Sequence, residues 1–259
     1  MNPESIGRTL EAASSESTAK AARKQIHTIR GVRGTPSGDV AKIAADTWRK
    51  EKPKLPQDEL ALDELFGQAW EDGLVAIAIL AAIAPDRPQD VMETGLDWLD
   101  RIDETATADA LGWYVIGAGA LACRTDLDVL ARRLATHPKP AARRAGVMVG
   151  MAMTPTPIEG AAAGALRARL GEKHVAFVAA PLSDALAGWC DAFVRDEDAT
   201  VRKGLRRVVS AWAESDPDAA TAWMDAVRGG LPKLLREAIT LEARKARRRA
   251  ERAAEAVEE

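Results

Sequence analysis

The sequence has only two cysteines among its 259 residues, Cys123 and Cys190, and they do not form a paired motif. Two isolated cysteines argue against a disulfide framework or a cysteine-rich zinc site, and they are typical of a reducing compartment. The N-terminal stretch MNPESIGRTL lacks the apolar core of a signal peptide. The longest apolar run, residues 74–85, is too short to cross a bilayer. These absences together predict a cytoplasmic protein.

Aromatic residues are also scarce, at 4% of the chain, and seven of them are tryptophans. No segment shows a convincing alternation of apolar and polar residues typical of a β-strand; residues 174–178 come nearest, and they are few. Alanine-rich sequence with apolar residues at helical spacing predicts close-packed helices instead. Proline marks many of the predicted helix starts, as at Pro36, Pro88 and Pro217. The predicted helices span residues 4–25, 37–50, 57–68, 70–84, 88–101, 104–122, 125–136, 139–153, 157–170, 182–195, 199–213, 217–228 and 232–255.

These amphipathic segments, joined by short turns, predict an all-α fold. Its expected form is a curved α-solenoid of HEAT-like (armadillo-type) helical hairpins, at about 35–45 residues per pair. No clean sequence repeat is visible, so an irregular helical bundle is the alternative. Hydrophobic residues make up 47% of the chain, enough for a large core. We expect a single domain over residues 1–241 and a highly charged helical tail over residues 242–259.

Several familiar catalytic and metal-binding motifs are missing. The stretch GVRGTPSG (31–38) has glycines, but it lacks the lysine and hydroxyl residue of a phosphate-binding loop, and no strand precedes it. No GxSxG turn occurs. The three histidines, His27, His137 and His174, are too scattered for a metal site, so we expect no metal and no cofactor. Glycines and alanines over residues 160–164 predict tight helix packing rather than a site.

Charge is unevenly distributed along the chain, although the formal net charge is only -3. Residues 57–109 are acid-rich, whereas residues 202–207 and 243–252 are basic. On a helical wheel, the apolar side chains of residues 201–212 gather on one side and the cations lie opposite. The four cations of this basic face are Arg202, Lys203, Arg206 and Arg207. An ordinary solvated face and a phosphate-binding face both fit this pattern.

Six stretches in order along the chain carry a resemblance to a known family. They are IRGVRGTPSGDVAKIA (29–44), WEDGLVAIAIL (70–80), LDWLDRIDETATADALGWYVIG (96–117), HPKPAARRAGVMVG (137–150), DEDATVRKGLRRVVSAWAESDPDAATAWM (196–224) and GGLPKLLREAITLEARK (229–245). In order and spacing, over about residues 20–245, they resemble the DNA alkylation repair family of HEAT-like-repeat glycosylases. The resemblance therefore implies a helical-repeat fold and double-stranded DNA as the partner.

The resemblance also implies an activity, the removal of cationic alkylated purines such as N3-methyladenine and N7-methylguanine. In the family, a carboxylate close to the sugar stabilises the oxocarbenium-like cation that forms as the base leaves. This role falls on Asp109. A phosphate-facing arginine falls on Arg144, the second member of the Arg143–Arg144 pair. In the family, the region that corresponds to the basic face helps line a concave basic groove that follows the DNA backbone, so the resemblance implies phosphate contacts for the cations of this face.

The chain departs from the family at positions that flank the lesion. The family has a tryptophan where this chain has Thr105, another aromatic residue where it has Arg207, and a cation where it has Ser210. Thr105, Asp109 and Trp113 lie on one stripe of a helix. This spacing places the Trp113 indole beside the carboxylate as a substitute aromatic face.

Each candidate residue also has an ordinary structural interpretation. An aspartate such as Asp109 is favoured near a helix N-terminus by the helix dipole. Arg144 suits an ion pair with a neighbouring helix, and Trp113 suits the core. A non-enzymatic scaffold whose groove binds DNA or a protein partner is therefore the alternative to a glycosylase. A DNA-binding protein of this kind is expected in the cytoplasm, associated with the nucleoid.

Overall fold

The computed structural model describes residues 1–26, 28–171, 176–227 and 231–258. Within these ranges the regular structure is helical and no strand occurs, so the predicted all-α class is confirmed. His27, His174 and the first part of the segment 174–178 lie outside the described residues. A search of the described helices finds none with the length and apolar character needed to span a bilayer.

The described helices follow the predicted segments closely. Their bounds are α1 Pro3–Ala12, α2 Glu16–Gln25, α3 Ser37–Glu51, α4 Glu59–Gly67, α5 Trp70–Ile83, α6 Pro88–Asp97, α7 Thr105–Ala110, α8 Ala118–Ala122, α9 Leu127–Ala135, α10 Pro140–Ala152, α11 Gly160–Leu170, α12 Ser183–Phe193, α13 Ala199–Ser215, α14 Pro217–Ala226 and α15 Lys233–Glu258. A 3-10 turn, Trp98–Arg101, continues α6, and a π-helical segment, Leu111–Gly117, joins α7 to α8. Proline stands in the first turn of α1, α6, α10 and α14, where its missing N–H costs no helical hydrogen bond.

The single helix predicted over residues 4–25 is wrong, because the structure divides it into α1 and α2. The Ser15 hydroxyl accepts a hydrogen bond from the backbone N–H of Thr18 at 3.2 Å and so caps a new helix. The loop around Gly34 packs against the first turn of α2, with a backbone φ of +86°. A Cβ at Gly34 would lie 2.4 Å from a backbone nitrogen of that turn, so only glycine allows this approach.

Helix α5 forms the centre of the N-terminal half, since every residue from Val75 to Ile83 is buried. It packs against α3, α4 and α11. Helices α11 and α3 approach closely: a Cβ at Gly164 would lie 2.2 Å from the carbonyl oxygen of Ala41. The predicted tight packing of this segment is therefore confirmed at Gly164. Because α6 to α10 lie between α5 and α11 in the sequence, this packing is not restricted to neighbouring hairpins.

In the C-terminal half, α10 packs against the π-helical segment and α13, and α13 packs against α15. A Cβ at Gly112 would lie 2.0 Å from the backbone carbonyl oxygen of Ala145. This close backbone contact lies one turn from Asp109 on one side and next to Arg144 on the other. The glycine therefore sets the distance at which these two side chains meet.

Helix α15 runs without a break from Lys233 to Glu258 and passes the predicted boundary between residues 241 and 242. Ala243, just beyond that boundary, is only 2% exposed and belongs to the core. The tail is helical as expected, and its separation from the domain stays a prediction.

Candidate functional site

A cleft of about 540 Å³ opens between the N-terminal and C-terminal helices. Its walls come from α2, the starts of α3 and α5, α7 with the π-helical segment, the loop that leads into α11, and α13. The chemistry-bearing residues of the wall are Trp70, Asp109, Trp113, Tyr114, Glu159 and Arg207. Two of the predicted site residues, Asp109 and Trp113, therefore lie in one concave surface, as does one residue of the basic face, Arg207.

Asp109 on α7 and Arg144 on α10 form a two-pronged ion pair. The Nε of Arg144 donates to Oδ1 of Asp109 at 2.6 Å, and Nη2 donates to Oδ2 at 2.8 Å. Nη1 of Arg144 donates to the backbone carbonyl of Thr200 at 2.5 Å. The two side chains are 16% and 10% exposed, respectively. The pair fixes the orientation of the carboxylate, and the guanidinium of Arg144 is directed at protein groups. Its predicted phosphate contact stays a prediction.

Arg207 on α13 reaches into the mouth of the cleft. Its Nη1 lies 3.5 Å from Oδ2 of Asp109, and its Nη2 lies 3.7 Å from a carboxylate oxygen of Glu159. Its guanidinium carbon lies 5.2 Å from the ring centroid of Trp113, within the range of a cation–π contact. The Arg207 side chain is 42% exposed, far more than that of Arg144. Asp109 therefore faces two cations, one fixed and one at the surface.

Trp113 and Tyr114 form a stacked pair on the π-helical segment, with ring centroids 4.7 Å apart and an interplanar angle of 25°. Trp113 is 1% exposed and belongs to the core, but it also contributes to the cleft wall. Its indole N–H has no hydrogen-bond partner among the described residues. Trp113 is therefore a core residue whose ring also borders the cleft, and its role beside a lesion stays a prediction.

Tyr114 is 6% exposed, and its phenol oxygen accepts a hydrogen bond from the backbone N–H of Glu159 at 3.1 Å. This contact ties the loop before α11 to the cleft floor. Burial raises the pKa of Tyr114 to about 12, because a charged phenolate is poorly solvated there. The phenol therefore stays protonated at neutral pH.

Helix α7 is positioned at its first turn by Glu104, whose carboxylate accepts hydrogen bonds from the backbone N–H groups of Ala106 and Thr107. The same carboxylate accepts a hydrogen bond from the indole N–H of Trp70 at 3.2 Å. Trp70 begins α5 and supplies a third aromatic side chain to the cleft. One buried acid thus holds the helix that carries Asp109 against the helix that carries Trp70.

The opposite wall of the cleft depends on two fully buried acids at the start of α5. Glu71 accepts hydrogen bonds from the backbone N–H groups of Arg33, Gly34 and Thr35, at 3.0, 2.7 and 3.3 Å. Asp72 receives a two-pronged contact from the guanidinium of Arg33, at 2.6 and 3.2 Å. Burial raises the pKa of Asp72, and Arg33 opposes that shift. The acids hold the loop 33–35 in place, and the start of α3 follows directly.

The predicted phosphate-binding cations differ in how many hydrogen bonds and salt bridges they make to other protein groups. Arg143 forms a two-pronged pair with Asp196 at 2.6 and 3.4 Å, which raises the pKa of the arginine, and it also donates to two backbone carbonyls. Arg202 donates to the backbone carbonyl of Asp196 at 2.8 Å. Lys203 and Arg206 are exposed, and among the described residues neither has a hydrogen-bond or salt-bridge partner. These two cations of the basic face are the ones directly available to a ligand.

Thr105 is exposed at the first residue of α7, and the cleft wall begins one residue later, at Ala106. The sequence prediction missed Trp70, Tyr114 and Glu159. A signal for Trp70 was present, because it starts the acidic WEDG segment of α5. Nothing in the sequence pattern brings Glu159 to Arg207, since they lie on separate elements.

The family model described as DNA alkylation repair enzyme matches residues 6–241, nearly the whole chain. No curated protein matches the chain.

Proposed function

This chain belongs to the DNA alkylation repair enzyme family, and on that premise we propose that it binds double-stranded DNA and excises cationic alkylated purines. The observation that carries the proposal is the carboxylate of Asp109, fixed by Arg144 in a cleft with aromatic walls. N3-methyladenine and N7-methylguanine are the expected substrates, in keeping with the family resemblance.

The chemistry requires little acid catalysis, because an alkylated purine already carries positive charge. When the glycosidic bond breaks, the base leaves with the bonding electron pair and becomes neutral. The sugar becomes an oxocarbenium-like cation, and water then adds to its anomeric carbon and releases a proton to solvent. The Asp109 carboxylate stabilises that cation electrostatically. Its fixed orientation means that no rearrangement is needed at the moment of reaction.

Binding to DNA would rest on phosphate contacts. Lys203 and Arg206 are exposed on the same helix as Arg207, which lies at the mouth of the cleft. Arg143 and Arg202 lie near them through their shared partner Asp196. We propose that these cations follow the DNA backbone and place a nucleotide at the cleft. The HEAT-like curved arrangement with a basic concave groove is part of this proposal.

The test of catalysis is release of methylated bases from alkylated duplex DNA. Asp109→Asn keeps the shape and removes the charge, and it should lower the rate by about 10²–10³-fold. Asp97→Asn is the matched control, since Asp97 is an exposed aspartate at the end of α6. Full activity in Asp109→Asn would mean that another carboxylate stabilises the sugar cation. Wild-type protein that releases no base would remove the glycosylase proposal.

A second candidate is a catalytically silent relative that binds DNA or a protein partner. The observation that favours it is the double pairing of Asp109 with Arg144 and Arg207, because two cations offset the charge that the reaction needs. Thr105 and Arg207 also replace the aromatic residues that flank the lesion in the family.

The salt dependence of duplex affinity tests the DNA interface whether or not the protein is an enzyme. The double variant Lys203→Gln/Arg206→Gln should weaken binding. It should also make the slope of log K against log salt concentration less steep by about 2, roughly one unit for each lost phosphate contact. The control Arg132→Gln/Arg133→Gln removes two exposed cations from α9 and should change neither quantity. An affinity that does not depend on salt would favour the protein-binding scaffold.

A further inference from the structure

We propose that the guanidinium of Arg207 occupies a subsite for a planar organic cation, so that a ligand of this class must displace Arg207 in order to bind. Three groups surround the guanidinium: Oδ2 of Asp109 at 3.5 Å, a carboxylate oxygen of Glu159 at 3.7 Å, and the ring of Trp113 at 5.2 Å from its centroid. Two are anionic and the third presents the negative face of an aromatic ring. All three favour positive charge at the same point.

The shape of this environment selects one class of ligand. A guanidinium is planar, delocalised and weakly hydrated, and it stacks on aromatic faces. An N-alkylated purine is also a planar, delocalised cation, and it can use the same ring and the same carboxylate. A neutral purine of the same outline would gain the stacking contact but not the attraction to Asp109 and Glu159.

Arg207 is the exchangeable cation of the site, whereas Arg144 is the fixed one. The contacts of Arg207 to carboxylates are long, at 3.5 and 3.7 Å, and its side chain is 42% exposed. The Arg144 side chain is 10% exposed, and its shortest contact to Asp109 is 2.6 Å. When Arg207 swings out, the site loses one positive charge and regains it with the ligand. The Arg207 guanidinium then points outward with the other cations of the basic face, where it can contact a phosphate.

The inference rests on the proposed function for the identity of the natural ligand, but its test requires no bond cleavage. The probe is 7-methylguanosine, used below the pH at which its purine ring loses a proton, and guanosine is the neutral counterpart. Calorimetric titration compares wild type with Arg207→Gln, Arg207→Lys and Arg132→Gln. Arg132 is an exposed cation on α9, a helix that does not line the cleft.

Arg207→Gln should bind 7-methylguanosine about five- to tenfold more tightly than wild type, the effect of removing one exposed ion pair and one cation–π contact that compete. Its affinity for guanosine should stay unchanged. Arg207→Lys keeps the competing charge, so its affinity should stay near that of wild type, as should the affinity of Arg132→Gln. In wild-type protein, 7-methylguanosine should shift the NMR signal of the Arg207 Nε–H, whereas guanosine should not. This measurement does not depend on any variant folding correctly.

Weaker or equal binding of 7-methylguanosine by Arg207→Gln would overturn the proposal, and so would an equal gain for guanosine. No binding of the cation by any of these proteins would also overturn it. Base release from alkylated duplex DNA, measured in parallel, separates the two proposals. If Arg207→Gln binds the cation more tightly and no protein releases a base, the subsite stands and the glycosylase function fails.

Discussion

Replacing the buried Glu71 by glutamine should destabilise the protein and release one wall of the cleft. Glu71 is fully buried, and its two carboxylate oxygens accept three backbone N–H groups of the loop 33–35. A glutamine side chain has one oxygen acceptor, and its NH₂ group would face a backbone N–H. At least one N–H of the loop would then be buried without a partner.

The size of the effect follows from those three contacts. A hydrogen bond to a charged acceptor contributes about 1.5–3 kcal/mol, and a buried donor left unpaired costs about 1–3 kcal/mol. The contact of Thr35 is long, at 3.3 Å, so its loss adds little. We expect Glu71→Gln to lower the free energy of unfolding by about 2–4 kcal/mol, and the midpoint temperature by about 5–10 °C.

Chemical denaturation measures the free energy, and hydrogen exchange locates the effect. The amides of Arg33, Gly34 and Thr35 should exchange faster in Glu71→Gln than in wild type. Glu59→Gln is the matched control, because Glu59 is also a first-turn glutamate but is exposed, and its effect should be within about 0.5 kcal/mol. If Glu71→Gln unfolds at the same midpoint as Glu59→Gln, and its loop amides exchange as slowly as in wild type, the argument is wrong.

Three further predictions concern the cleft and its supports. Tyr114 is the only tyrosine of the chain, so the ultraviolet absorbance of phenolate reports its titration alone. The midpoint of that titration should be near pH 12 in the folded protein. The free energy of unfolding should fall as pH rises from about 10, the pKa of tyrosine in the unfolded chain, towards 12. A midpoint near 10 in folded protein would contradict its burial. Asp198 caps α13, and its pKa is lowered chiefly by the hydrogen bond from the Thr200 hydroxyl. Asp198→Ala should therefore cost about 1 kcal/mol at neutral pH, and denaturation at decreasing pH should show this difference vanish as the cap becomes protonated; a difference that persists in acid would assign it to another cause. Gly112→Ala should lower the free energy of unfolding by more than about 3 kcal/mol or prevent folding, because its Cβ would lie 2.0 Å from a backbone carbonyl oxygen. The control is Gly38→Ala, whose Cβ would meet no atom within 4 Å, so its thermal midpoint should be equal to that of wild type or higher.

The helices could be predicted from the sequence because each one carries its own local signals. Apolar spacing defines the buried face, and proline or a capping side chain marks the start, as at Pro88 and Asp216. The division between α1 and α2 was missed, although Ser15 is a capping residue type. The backbone N–H of Ser15 also donates to the carbonyl of Gly34, a contact between distant segments that no local pattern shows. The π-helical segment 111–117 gives no such signal, since all its residues are buried and no single face stands out.

The candidate site was only partly predictable, for a related reason. Asp109 and Arg144 could be named from the family resemblance, but the two-pronged pair between them depends on the contact of α7 and the π-helical segment with α10. A helical wheel placed Arg207 opposite the apolar side of α13, where a solvated face and a phosphate-binding face both fit. The structure turns its guanidinium towards Asp109 and Glu159. A wheel describes one helix, and the partner of a long side chain is set by the elements around it. The roles assigned to these residues stay predictions.

The packing of α11 on α3 has a consequence for how the chain is made. Ala41 and Gly164 touch but are about 120 residues apart in sequence. At a synthesis rate of roughly 5–20 residues per second, the ribosome needs on the order of 10 s to supply the second partner. During that interval the apolar face of α3 has no α11 to cover it, and a chain that ends before residue 160 never acquires the cover. Translation pauses in this window should therefore lengthen the time during which the nascent chain can aggregate.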